Sequence, residues 1–214
     1  MKPEALHEAL STRLTTDAAR WLNTAMEQIA DAAGAIRTLF PAAGRRCGRA
    51  VLDDEALAGW TVDDAARVLL LTRLPLTGRR LADEVADLYR YGDAAEKRGV
   101  LRGLALLDLG GELGDAGLPL VRDALRTNDT RLVAAALGPY GAARLDAAAY
   151  RQGVLKCVFM GVPLAEIAGL PERGDAELAR MLGDFARERI AAGRPVPADV
   201  RLVTDPGSTD PEGD

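Results

Sequence analysis

Residues 150–170, YRQGVLKCVFMGVPLAEIAGL, constrain the fold most, because they form the most apolar helical run in the chain. At 100° per residue, Val154, Leu155, Val158, Phe159 and Val162 spread over one broad face, and Tyr150, Cys157 and Met160 extend it. Only the strip bearing Gln152 and Lys156 stays polar. A helix this apolar belongs in an interior, so the preceding elements are expected to surround it. A lone ammonium there costs several kcal/mol unless it is paired or faces a wet cavity. Lys156 therefore has an acidic or carbonyl partner, or snorkels to the surface, or forms the floor of a pocket. Pro163 lacks the N–H to continue the helix, which ends near Gly161.

What can surround such a helix is set by the rest of the pattern. Strand signals are scarce: aromatic residues make up 4% of the chain, and no alternating stretch of useful length occurs. Helical stripes recur instead. Residues 17–33 place Trp21, Leu22, Ala25 and Ile29 on one side, with Thr15 and Thr16 as caps, and 35–40 continue after Gly34. Residues 41–52, with Arg45, Arg46 and Arg49, read as a connector, either a solvated loop or an anion contact. Thr61 and Asp64 resemble a capping box opening a helix to Leu74, whose Val68-Leu69-Leu70-Leu71 run covers almost every face and leaves Arg67 and Arg73 as polar exceptions. Leu81, Val85, Leu88 and Tyr89 mark the next stripe, and Asp93 with Glu96 caps the one carrying Val100, Leu101, Leu104 and Leu107. Residues 108–117 form a glycine-rich loop without the lysine-serine ending of a phosphate loop. Pro119 opens a helix through Leu125, and Leu132 to Leu137 form a short one closed by Gly138-Pro139. Asp146 caps the central helix, and residues 175–192 turn Leu178, Met181, Leu182 and Phe185 inward until Gly193 and Pro195 end them.

Capped helices joined by short loops make antiparallel neighbours. The expected fold is all-α: stacked helical hairpins in an irregular HEAT-like α-α superhelix, or a compact bundle. A chain of 214 residues suits one domain, here 1–203, with 204–214 as a disordered acidic tail. Composition excludes several functions. The formal charge of −5, with no basic segment, counts against a nucleic-acid binder. His7 is the single histidine and sits in a helix that reads as frayed, so a His-based metal site and a Ser-His-Asp triad lack their parts. Cys47 and Cys157 lie far apart and suggest no disulfide. The beginning of the chain carries Glu4 and Glu8 and does not read as a signal peptide, and no run approaches the roughly 20 apolar residues of a spanning helix. A cytoplasmic protein without cofactor is expected.

Gln152, Val154-Leu155-Lys156, Phe159, Gly161, Pro163-Leu164, Ile167 and Gly169-Leu170 resemble the signature of the EboA-domain family. Residues 60–75, 88–107, Arg126-Thr127-Asn128 and 176–196 are similar to the family pattern in the same order. Arg151 stands where the family usually has Asn, and Gly153 where it has a bulky aliphatic residue. The resemblance implies no assigned chemistry, since the family has no established catalytic residue. Its genes accompany a UbiA-type prenyltransferase, a TatD-like hydrolase and sugar-isomerase-like proteins, which implies a pathway making or moving a prenylated polyol or similar membrane-linked metabolite.

Three functions remain in view. The first is a non-catalytic binding or scaffold protein holding pathway partners, or an anionic or polyol metabolite, with peripheral membrane contact and with Arg67, Arg73, Arg126, Asn128, Gln152 and Lys156 as ligand-binding residues. Against each arginine stands simple pairing with an acid such as Asp63, Asp64, Asp108 or Asp123. The second is a lyase or isomerase of a sugar-like phosphate, with Lys156 as base or nucleophile. The third is a protein-interaction module.

Overall fold

The computed structural model describes residues 2–54 and 57–204 and is all-α, with no strand among the described residues beyond a single antiparallel bridge between Val51 and Thr61. The chain divides into two compact units, Met1–Thr127 and Asn128–Asp214. Residues 205–214 of the expected acidic tail lie outside the described residues.

The first unit contains α1 (Pro3–Ser11), α2 (Thr16–Asp31), α3 (Ile36–Cys47), α4 (Val62–Leu71), α5 (Gly78–Tyr91), α6 (Ala94–Leu107) and α7 (Leu118–Arg126). Its centre is α4, every residue of which is buried. This helix packs against α1, α2, α3 and α6. Val68, Leu69, Leu70 and Leu71 are fully enclosed, and each contributes about 1.5–3 kcal/mol of hydrophobic stabilisation. The helix expected to be frayed, α1, is held in place by Leu6 and Leu10, both buried. Caps fall where the sequence predicts them: Thr15 accepts from the Ala18 N–H at 3.2 Å, and Asp93 from the Glu96 N–H at 2.8 Å. The α5 stripe buries Leu81, Val85, Leu88 and Tyr89 as expected.

One connector is not a connector. Residues 41–47 belong to α3, which runs through Pro41 to Cys47. A proline inside a helix removes one backbone hydrogen bond and costs about 3 kcal/mol. Phe40, Ala43 and Gly44 are buried on either side of it, and this burial offsets the loss. Arg45 and Arg46 then fall in the last helical turn, where cations meet the negative end of the dipole, and Gly48 at φ 91° stops the helix.

The second unit contains α8 (Thr130–Ala136), α9 (Pro139–Arg144), α10 (Ala147–Met160), α11 (Leu170–Arg173), α12 (Ala176–Ala191) and α13 (Arg201–Thr204). Gly138-Pro139 closes α8 but also opens α9, because proline at the first helical position gives up no needed donor. Asp146 caps α10 and Gly161, at φ 73°, ends it. This helix is not enclosed. Its buried face is Tyr150, Gly153, Val154, Cys157 and Val158, whereas Phe159 is 61% exposed and meets Phe185 edge-on at 4.7 Å. The Tyr150 hydroxyl donates to the Ala168 carbonyl at 2.7 Å, and the Arg173 guanidinium lies 4.2 Å from the Tyr150 ring. Arg151 makes a two-pronged pair with Asp175, the residue that caps α12.

Candidate functional site

Enclosing α4 buries its polar residues, and the sequence supplies partners for them. Asp63, Asp64 and Arg67 are inaccessible to solvent, and Arg98 and Arg102 of α6 are nearly so. Arg67 donates to Asp63 at 2.5 Å across one turn of α4. Arg98 spans both Asp64 oxygens from Nε at 2.8 and 2.9 Å, and its Nη2 donates to the Thr61 hydroxyl at 2.9 Å. Arg102 approaches Asp64 at 3.4 Å, donates to the Gly59 carbonyl at 2.7 Å, and lies 4.6 Å from the Trp60 ring. Asp64 also accepts from the Thr61 N–H at 3.1 Å, completing the helix start that the sequence predicts. Space for these side chains comes from glycine. A Cβ on Gly99 would stand 2.7 Å from Cδ of Arg67, and one on Gly103 would stand 2.8 Å from Leu71.

Beside this core, α3, α5 and the start of α6 form a surface groove of about 250 Å³. Its polar rim is Arg37, Glu84, Asp87 and Glu96, and its apolar wall is Pro41, Leu88 and Tyr91. Arg37 grips Glu84 with two parallel bonds of 2.9 and 2.8 Å and approaches Asp87 at 3.8 Å. A second hollow, about 390 Å³, shares Arg37, Glu84 and Asp87 and continues toward Gly34 and Arg80. The Arg37–Glu84 fork thus borders both. Burial, then the neighbouring Asp93, pushes the Glu96 carboxyl above its ordinary pKa, while Arg67 and Arg45 oppose the rise. Tyr91 is 78% exposed, an uncovered aromatic face at the rim.

The six residues expected to bind ligand have different surroundings. Arg67 is enclosed and held by Asp63, while Arg73 and Arg126 lie at the surface, Arg126 3.6 Å from Asp123. Pairing of arginines with Asp63 and Asp123 is the simpler alternative that the sequence offered. In the second unit Asn128 and Gln152 are exposed and Lys156 is half-buried. Gln152 and Lys156 share one face of α10, four residues apart. The groove residues Arg37, Glu84, Asp87 and Tyr91 escaped the sequence reading because each lies on the polar side of its helix and resembles ordinary solvated surface. Their signal was the i, i+3 spacing of Glu84 and Asp87 with Tyr91 four further on, one ridge of α5.

Among the described residues, no group of three or more His, Cys, Asp or Glu could hold a metal ion, and no helix is long and apolar enough to cross a membrane. Burial pushes the Cys47 thiol up to about 11 and the Cys157 thiol to about 12, so both are protonated at neutral pH and poor nucleophiles. No curated protein and no solved structure matches this chain. The model of one family, described as metabolite traffic protein EboA, matches residues 3–204.

Proposed function

Because the chain belongs to the EboA family, we propose that it carries a hydroxyl-rich metabolite without transforming it, and that the groove between α3 and α5 receives the hydroxylated part. The observation that carries this reading is the makeup of the groove: three carboxylates and one guanidinium around an apolar wall with an uncovered tyrosine. Carboxylates facing outward repel an anionic ligand, by about 4 kcal/mol for a like-charge pair 4 Å apart near a protein surface. They accept strongly from hydroxyls, at about 1.5–3 kcal/mol for each bond to a charged group. Between an anion and a polyol, the groove favours the polyol. Tyr91, Leu88 and Pro41 offer a face to the C–H side of such a molecule or to the first atoms of an attached prenyl chain. A prenylated polyol fits this division of polar and apolar lining, as does a scaffold role beside the prenyltransferase and hydrolase of the same pathway. Both units are taken as one functional domain, since the family match spans them.

Native mass spectrometry of the protein purified gently from its host tests the proposal. The expected result is a co-purifying neutral polyhydroxylated compound, retained by wild type and lost from Asp87→Asn and Tyr91→Ala variants that keep their melting temperature. A compound retained equally by both variants would place the binding site elsewhere, and a bare protein would remove the carrier role.

A further inference from the structure

The polar ridge of α5 is longer than the groove that uses it. Arg80, Glu84, Asp87 and Tyr91 follow one another at helical spacings of four, three and four residues, which keeps them on one side of the helix. At 1.5 Å per residue that ridge is about 16 Å long. The hollow of about 250 Å³ lies at its Tyr91 end and the hollow of about 390 Å³ at its Arg80 end. The first alone is smaller than ordinary small-molecule sites, which enclose about 300–1,000 Å³, and the larger one adjoins it through Arg37, Glu84 and Asp87.

Glu84 stands where the two meet. Its side chain is only 12% exposed, and both of its oxygens accept from Arg37, at 2.9 and 2.8 Å. A carboxylate has about four lone-pair sites, so each Glu84 oxygen keeps one for a hydroxyl, and the residue lines both hollows. The linings then diverge. Pro41, Leu88 and Tyr91 belong to the first hollow alone, whereas the second has Arg80 and Asp83, with Ala33, Gly34 and Leu76 as its apolar remainder. Arg79 approaches Asp83 at 3.6 Å with both side chains largely in solvent, a loose pairing that leaves the Asp83 carboxylate reachable. Guanidinium donors and carboxylate acceptors side by side suit a hydroxyl, which is donor and acceptor at once. The second hollow has no aromatic face for a prenyl chain, so what enters it is polar.

We propose that the hollow at Gly34 and Arg80 is the second half of the same binding site. The ligand class is then a hydroxyl-rich molecule of two linked units, the size of a disaccharide, laid along α5 with Glu84 shared at the junction. Any apolar attachment leaves by the Tyr91 end. This rests on the reading of the groove as a polyol site and adds the length and direction of its ligand.

Titration of the 15N-labelled full chain with glucose and with maltose, followed by backbone amide shifts, tests it. Maltose is expected to move signals at both ends, Gly34 and Arg80 as well as Tyr91 and Gly92, and to bind about tenfold more tightly than glucose, as one added charge-assisted hydrogen bond requires. Glucose is expected to move the Tyr91 end. A Cβ on Gly34 would meet no atom within 4 Å, so Gly34→Phe is tolerated by the fold and occupies open space there. This variant and Arg80→Ala are each expected to abolish the advantage of maltose and to leave glucose binding unchanged. Maltose that binds no better than glucose, with shifts confined to the Tyr91 end, overturns the second half and leaves the groove reading standing. Shifts at neither end with either sugar overturn both.

Discussion

Helices α4 and α10 both lack a continuous polar face in sequence, yet the first is enclosed on every side and the second on one. Hydrophobicity alone does not separate them. The difference lies in partners. Around α4 stand helices from both sides of the sequence, α1 to α3 before it and α6 after, and α6 brings arginines to the two aspartates of the first turn. On α10, Arg151, Gln152 and Lys156 follow one another along an edge that stays partly in solvent, and Phe159 stays out with them. Enclosure of a helix is thus decided less by how apolar it is than by whether its few polar groups find partners inside.

The largest test of this contrast is Asp64→Ala. It leaves Arg98 and Arg102 buried beside a lost carboxylate, and is expected to cost about 3–5 kcal/mol in urea denaturation, where Gln152→Ala on α10 stays within about 0.5 kcal/mol. A small effect of Asp64→Ala would mean that the network is hydrated and α4 is not enclosed as described. A sharper comparison sets glycine against glycine. Gly99→Ala forces a methyl group against the stem of Arg67 and is expected to cost about 1–3 kcal/mol by overpacking. Gly161→Ala meets no atom within 4 Å and costs only the strain of a left-handed cap, about 1 kcal/mol. Equal costs would erase the distinction between crowding and backbone strain. The smallest effect concerns pH. Arg151, with the backbone N–H of Leu178, holds the Asp175 carboxyl down at about 2, so its stabilising pair is complete above the ordinary carboxylate range and fades as pH falls through that range toward 2. Asp175→Asn is expected to flatten the acid limb of the melting-temperature profile, and an unchanged limb would show that the pair does not anchor α12.

Local chemistry made most helices legible. Caps at Thr15, Asp93 and Asp146 and the stripe of α5 required only neighbours within a turn or two. The all-α class followed from them. What failed was long-range. Nothing near Pro41 in sequence shows that Phe40 and Ala43 are buried on α4, so the helix through it reads as a connector. Nothing in the local pattern singles out Arg98 and Arg102, because their partners lie 34 residues and more upstream. The repeated spacing of four, Arg98 with Arg102 and Gly99 with Gly103, was the visible trace of a helix face built to receive another helix. The groove was illegible for the opposite reason, since carboxylates on exposed ridges occur whether or not a ligand meets them.

The separation between Asp64 and Arg98 also sets an order of events during synthesis. The two residues are 34 positions apart, which at ordinary rates of about 5–20 residues per second is a wait of about 2 to 7 s. When α4 leaves the ribosome, α1 to α3 are already available for its apolar side, but its aspartates have no arginines to meet. Until α6 emerges, those carboxylates keep their water, and the face they occupy is the last to dry.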